Sequence, residues 1–213
     1  MSLADALERL PLFPLPDVTL FPGGLVPLHV FEPRYRQMTR DALATHRALA
    51  LARVLPGPAV DEHGHPPIPK IVGAGTIVDH EALSDGRYNL LVRGEARVSI
   101  VELPFSPPYR AARATLLEDE GPPPRDEDVE ALIAVARELV RRVRARAPRL
   151  TLELPDALPA ERAADLLAAR LVLDPDARQR LIEEPSAAER TSITTVALAE
   201  QLRELTSGLG ADN

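Results

Sequence analysis

The spacing of apolar residues changes character along the chain. Up to residue 117 they come in short runs with strand-like composition or alternation: Ile71–Asp79, Arg87–Arg93, Glu95–Glu102 and Tyr109–Leu117. In Arg87–Arg93, Tyr88, Leu90 and Val92 share one face, and Asn89, Leu91 and Arg93 share the other. Ala96, Val98 and Ile100 alternate in the same way with Arg97, Ser99 and Val101. Asp85-Gly86 and Gly94-Glu95 have turn composition and are expected to bound Arg87–Arg93 on its two sides. One helix is expected to interrupt this part. It opens at Pro33, a favoured first helical position, and runs through Tyr35, Met38 and Leu43 toward His46.

Beyond residue 125 the period lengthens to three and four. Val129, Leu132, Ile133, Ala136, Leu139, Val140 and Val143 form an apolar stripe on a helix expected over Asp126–Ala145. Its first turn is acidic and its last turns are basic. A second helix fits Ala160–Leu173, and a third opens with Asp174 as N-cap and Pro175 at its first position. A fourth opens at Ser186-x-x-Glu189, a capping box, and carries Ile193, Val196, Ala197, Leu202 and Leu205.

Composition marks where the two patterns divide. Phe13, Phe21, Phe31, Tyr35, Tyr88, Phe105 and Tyr109 are all the aromatics, and all precede residue 110. Gly121-Pro122-Pro123-Pro124 reads as a stiff linker. The expected organisation is a β-rich part over residues 1–120, a helical part over 125–207 and a flexible tail over 208–213. No internal repeat is present.

Charge and residue usage narrow the function. The 213 residues carry 25 Lys+Arg against 32 Asp+Glu, which disfavours a protein built to grip a phosphate backbone. There is no cysteine, hence no disulfide, thiolate metal site or cysteine nucleophile. Lys70 is the only lysine, and it lies between Pro69 and Ile71, so no Gly-Lys-Ser/Thr phosphate loop exists in these residues. No apolar run approaches the ~20 residues of a membrane span, and Asp5 and Glu8 interrupt the start, so a signal peptide is not expected. A soluble, cytoplasmic protein is the expectation.

Candidate chemistry is sparse. Asp61-Glu62-His63-Gly64-His65 contains metal-ligand types, yet no second ligand cluster closes a shell, and a solvated loop accounts for it. Asp79-His80-Glu81 would alternate across a strand, so the three cannot converge. No serine sits in a nucleophile elbow, and Ser186 is used as a cap. The Arg141–Arg149 cluster can bind an anion, but cations at a helix C-terminus already complement its dipole. No catalytic residue, metal site or cofactor is assigned. The least ordinary segment is Pro11–Arg36, where repeated prolines suggest edge strands and turns, not central strands. Its apolar side chains can fill the core or meet a partner strand.

Within that segment, Leu12-Phe13-Pro14-Leu15, Leu20-Phe21-Pro22-Gly23 and Pro27-Leu28-His29-Val30-Phe31-Glu32-Pro33-Arg34-Tyr35 resemble the opening of the Lon protease N-terminal, substrate-binding domain. A second block, Asp85 to Val98, is similar to the family's D-G then G-x-x-R pattern. The resemblance spans nearly the whole chain. It implies an α+β fold: a β-rich, PUA-like pseudo-barrel followed by an α-helical bundle. In full Lon this region helps select unfolded or tagged proteins for an ATPase and a Ser–Lys peptidase. This chain is expected to be a stand-alone, non-enzymatic module binding unfolded or extended protein segments, in an adaptor or chaperone-like role beside a protease or chaperone. The alternative is a small-ligand or nucleic-acid binder, because PUA-like folds host such functions.

Residue roles within the motif follow as expectations. Pro22 and Gly23 make a tight turn. Glu32 and Arg34 form a charge pair or hold backbone groups, and Arg93 and Arg97 flank the Gly94 turn and pair with Glu32 or Glu95. An apolar binding surface with a polar rim would draw on Leu25, Val26, Phe31, Tyr35 and Tyr88. Neither the partner nor the oligomeric state is legible.

Overall fold

The computed structural model describes residues 2–57, 59–144, 147, 151–155 and 158–208. Chain contacts divide it into two units, Met1–Glu118 and Asp119–Asn213.

The first unit holds a short 3-10 helix, Leu3–Arg9, and six strands: β1 (Leu10–Leu15), β2 (Leu25–Val30), β3 (Ala48–Arg53), β4 (Ile71–Ala82), β5 (Tyr88–Glu102) and β6 (Ala111–Leu116). Helix α1 spans Pro33–Ala44 between β2 and β3. The sheet order is β2-β5-β4-β3-β1-β6, and β5 also pairs with β6, so five strands close into a ring. Only β1 with β3 is parallel. The second unit is helical: α2 (Asp126–Val143), α3 (Ala160–Leu171), α4 (Pro175–Glu183) and α5 (Ala187–Gly208).

Alternation splits the buried side chains of the first unit into two cores. Leu10, Leu12, Ala48, Ala50, Ala52, Ala74, Val98, Ala112 and Ala114 fill one, with Leu3 and Ala6 of the 3-10 helix. Six of these eleven residues are alanines on strands, which suits the narrow interior of a small closed sheet. The intervening positions, Phe13, Leu49, Leu51, Ile77, Leu90 and Val92, face outward onto Tyr35, Met38 and Ala42 of α1. Strand β3 has the sequence Ala-Leu-Ala-Leu-Ala-Arg and is buried throughout.

Two expectations for this unit are corrected. Gly94-Glu95 is not a turn: β5 runs unbroken through it, with a register shift against Gly75. Gly94 is instead where another backbone comes close, since a Cβ there would collide with the Phe21 carbonyl. Gly94 N–H donates to the Gly24 carbonyl, and Gly23 N–H donates back to the Gly94 carbonyl, both at 2.9 Å. Gly73 likewise has the Leu20 carbonyl where its Cβ would stand. The Leu20–Gly24 segment therefore lies directly on the sheet. The second correction concerns β1, which contains Pro11 and Pro14 yet lies between β3 and β6. Its prolines fall where ladder bonds are missing. Pairing with β3 starts at Leu12, one residue after Pro11, and pairing with β6 covers only Leu10 and Pro11, short of Pro14. Asp85-Gly86 does turn the chain, with Gly86 at φ 81°.

In the second unit, α2 begins at Asp126 and buries Leu132, Ala136, Leu139 and Val140; Ala145 lies outside the described residues. Helix α3 ends at Leu171, short of Leu173, which is exposed. Asp174 caps α4 by accepting from the Asp176 N–H at 2.8 Å. The buried row of α5 is not the one that hydropathy alone picks out. The helix buries Ala187, Arg190, Thr191, Thr194 and Leu198, while Val196 is exposed. The reason is Arg190, which is fully buried and bonded to Asp165 of α3 (2.9 Å), Asp119 (2.9 Å) and the carbonyls of Glu184 and Pro185. A charged residue so satisfied can occupy a core row that hydropathy assigns to the surface. Of the tail expected at 208–213, Gly208 ends α5 and residues 209–213 lie outside the described residues, as do Arg146 and Arg149. Arg141 and Arg142 both bond Glu138, whose carboxyl is drawn down to about 2 by those hydrogen bonds.

Candidate functional site

The first unit contains a pocket of about 440 Å³. Three pieces of chain supply most of its wall. The end of β1 brings Phe13 and Pro14. The end of β2 and the segment leading into α1 bring Val30, Phe31 and Glu32. The first turn of α1 brings Arg34 and Tyr35.

Local sequence explains why these pieces meet. Pro33 at the first helical position starts α1 immediately after β2, so the strand end and the first helical turn are adjacent. Glu32 precedes it as N-cap with extended backbone, and its side chain turns back to accept from both Nε and a terminal nitrogen of Arg34 at 2.9 Å. That contact holds the Arg34 guanidinium 4.6 Å from the Tyr35 ring centre, a cation–π distance. The Tyr35 ring in turn lies 4.3 Å from Phe13, tying α1 to β1. Burial raises the Tyr35 phenol above its ordinary value, so it stays neutral.

The floor is apolar and the rim is polar. His65 stands on one side, its Nδ1 3.2 Å from Asp61 and its ring edge-on to Phe105 at 4.5 Å. Asp61 also accepts from the backbone N–H of His63 and His65, so this loop is closed by its own carboxylate. Among the described residues no group of three His or acidic side chains could hold a metal ion. Arg110 lines the back: it grips Glu102 through two bonds of 2.8 and 2.7 Å and donates to the Pro66 carbonyl at 2.9 Å. Phe31 is the projecting member, 61% exposed, with the His29 ring 6.3 Å away. His29 is itself held by Asn89 at 2.8 Å. The lining residues include no serine, threonine or lysine; the pocket offers apolar surface with charges at Glu32, Arg34 and Arg110.

The five expected surface residues do not form one site. Phe31 and Tyr35 line the pocket together, but Tyr35 is a wall residue, 7% exposed, because its ring is sandwiched between Phe13 and Arg34. Leu25 is 57% exposed at the other end of β2, and Val26 faces the core from that strand. Tyr88 pairs with Val30 across β2 and β5 and packs against the core. Phe13, Pro14, Val54 and Arg110 were not anticipated as site residues, and His65 was considered only as a metal-ligand type. Phe13-Pro14 lay in plain view in the first motif block, whereas Val54 and Arg110 carry no local signal.

The remaining motif residues serve the frame. Pro22 and Gly23 form the middle of a turn closed by Gly24 N–H to the Phe21 carbonyl, with Gly23 at φ 77°, where a side chain would be strained. Arg93 is 3.7 Å from Glu95. Arg97 is buried and donates to the Glu118 carbonyl at 3.2 Å.

A five-strand ring with a strand-edge pocket, joined in sequence to four helices, defines the class to which this molecule belongs. The family model of the ATP-dependent protease La (LON) substrate-binding domain matches residues 9–200, and the chain belongs to that family. Similar relatives include Lon protease 2 of Bdellovibrio bacteriovorus, 28% identical over 92% of this chain, and the Lon protease of Roseiflexus castenholzii, 30% identical over 96%. The chain spans about a quarter of the length of these curated relatives. Solved structures with the same fold are the Lon N-terminal domain protein from Xanthomonas campestris and the N-terminal domain of the Mycobacterium avium complex Lon protease. The first has a TM-score of 0.63 at 24% identity, covering 86% of this chain and 95% of that one. The second has 0.66 at 18%, covering 90% and 98%. The sequence thus corresponds to the substrate-binding part of Lon and not to its catalytic part.

Proposed function

We propose that this chain is a non-enzymatic binding module that captures extended, apolar segments of unfolded polypeptide. An apolar side chain of the captured segment enters the pocket between Phe13, Val30, Phe31 and Tyr35, and the rim of Glu32, Arg34 and His65 meets the segment's backbone. One observation carries the reading: two separate blocks of the Lon-like motif, Leu12–Leu15 and Pro27–Tyr35, converge on a single apolar pocket with a polar rim. Membership of a substrate-binding family supports it. The module would act as an adaptor or chaperone-like factor, handing segments to a protease or chaperone. The cysteine-free chain suits the reducing cytoplasm, and among the described residues no helix is long and apolar enough to cross a membrane.

The test is retention of a permanently unfolded, reduced and alkylated protein by the immobilised chain, against an unrelated folded acidic control. Retention of the first alone is expected, and Phe31→Asp should weaken it about tenfold, roughly 1.4 kcal/mol. Equal retention of both, or an unchanged Phe31→Asp variant, contradicts the reading.

A further inference from the structure

The second unit carries an independent groove of about 440 Å³, bounded by the segment between α3 and α4 and by the outer face of α5. Its most exposed residue is Leu173, 77% accessible. That exposure is not the result of a loose loop. The Leu173 N–H donates to Gln201 Oε1 at 3.0 Å, and Gln201 Nε2 donates to the Leu171 carbonyl at 2.9 Å. Arg178 donates to the Val172 carbonyl at 3.1 Å, and Asp174 caps α4. A large apolar side chain is thus held in water on a backbone clamped from both sides. Ile193, Val196 and Ala197 of α5 face it across the groove, with Val196 55% exposed. Leu173 and Val196 thus expose adjoining apolar surface along one groove.

The same face of α5 is acidic at both ends. Glu189 stands one turn before Ile193, and Glu200 and Glu204 follow Ala197 at helical spacing. Asp174 adds a fourth carboxylate, against one guanidinium, Arg180. From Glu189 to Glu204 the helix rises about 22 Å. We propose that this groove docks an amphipathic helix of a partner protein, apolar at its centre and basic at both ends. Charge complementarity selects the occupant. A second copy of this chain docking by the same face would set carboxylates against carboxylates, whereas arginines about 22 Å apart on a partner helix would meet both acidic ends. The groove is distinct from the Phe31 pocket and does not depend on it.

The experiment uses the full chain and a labelled helical peptide of about 16 residues, with leucines at its centre and arginines at both ends, read by fluorescence anisotropy. Saturable binding is expected. It should weaken about tenfold for Leu173→Asp or Val196→Asp, for a peptide with glutamates in place of the arginines, and on raising salt to about 0.5 M. Val196→Asp sits on a helix surface, so its helical signal checks the fold if the Leu173 variant is damaged. Phe31→Asp should leave this binding unchanged, which separates it from polypeptide capture by the pocket. No binding, equal binding of the basic and acidic peptides, insensitivity to both groove variants, or a self-association abolished by Val196→Asp would each overturn the proposal.

Discussion

The two units solve close packing by opposite means. In the first, backbone packs closely against glycine: the Leu20 carbonyl over Gly73, the Arg93 carbonyl over Gly75 and the Phe21 carbonyl over Gly94. Its inner core is largely alanine. In the second, the largest fully buried side chain is a guanidinium, Arg190, fastened to Asp165, Asp119 and two carbonyls. The first unit is specified by residues that are absent in space, the second by a charge that must be matched. The contrast predicts different sensitivities: steric in one, electrostatic in the other.

The largest effect should come from breaking the Arg190 network. Arg190→Met leaves Asp165 buried without its main counter-charge, and removing one partner of a buried pair costs about 3–5 kcal/mol. Burial already holds the Asp165 carboxyl above its ordinary value of 3.8, with Arg190 opposing that shift. A carboxyl raised in the folded state binds its proton more readily there, so it weakens folding as pH rises past 3.8. The deficit of Arg190→Met should therefore be large at neutral pH and shrink toward pH 4. Thermal melts followed at 222 nm across pH check this; a deficit that does not vary with pH would remove the electrostatic half of the contrast.

Next in size is Gly94→Ala. The added methyl meets the Phe21 carbonyl, which accepts the Gly24 N–H in a segment that two further hydrogen bonds tie to Gly94, so a loss of about 1–3 kcal/mol is expected. All the aromatic residues belong to the first unit, so the near-ultraviolet circular dichroism signal should follow this variant. A neutral Gly94→Ala would mean that the Leu20–Gly24 segment moves aside freely. A smaller effect, about 1 kcal/mol, is expected for Asp174→Ala, which removes the α4 cap. Denaturant titration measures it, and Asp174→Ser should recover most of the loss.

The smallest effect concerns one proton. Tyr109 is driven up to about 12, first by burial and then by its 2.9 Å hydrogen bond to Asp41. The folded state keeps this phenol proton longer than the unfolded chain, so stability falls as pH climbs from about 10 to 12. Ultraviolet titration of phenolate should show a step near 12 that vanishes in Tyr109→Phe; its persistence in the variant would reassign it.

What was legible in the residues follows the same division. Helices with a clean stripe, such as α2, and those with a proline start, α1 and α4, were readable because local signals and burial agree. Strand β3 was not anticipated, because Ala-Leu-Ala-Leu-Ala carries no β-branched residue and its alternation runs between two buried faces. Gly94 looked like a turn because glycine signals either a bend or a close approach, and sequence alone does not separate them. The buried row of α5 was not legible because hydropathy counts arginine as surface whatever its partners are. The motif blocks pointed to segments that line the pocket, Phe31 among them. Tyr35 was taken for surface, and Val54, His65 and Arg110 reach the pocket only through tertiary structure.

The central claim is that the pocket of the first unit, and not the whole surface of β2, receives unfolded polypeptide. Nuclear magnetic resonance titration of the labelled chain with a reduced, alkylated unfolded protein tests it most directly. The account predicts the largest shifts at Phe13, Val30, Phe31 and Val54, with Leu25 at the far end of the strand little moved and all of these shifts suppressed in Phe31→Asp. Shifts centred on Leu25, or undiminished in Phe31→Asp, would contradict it.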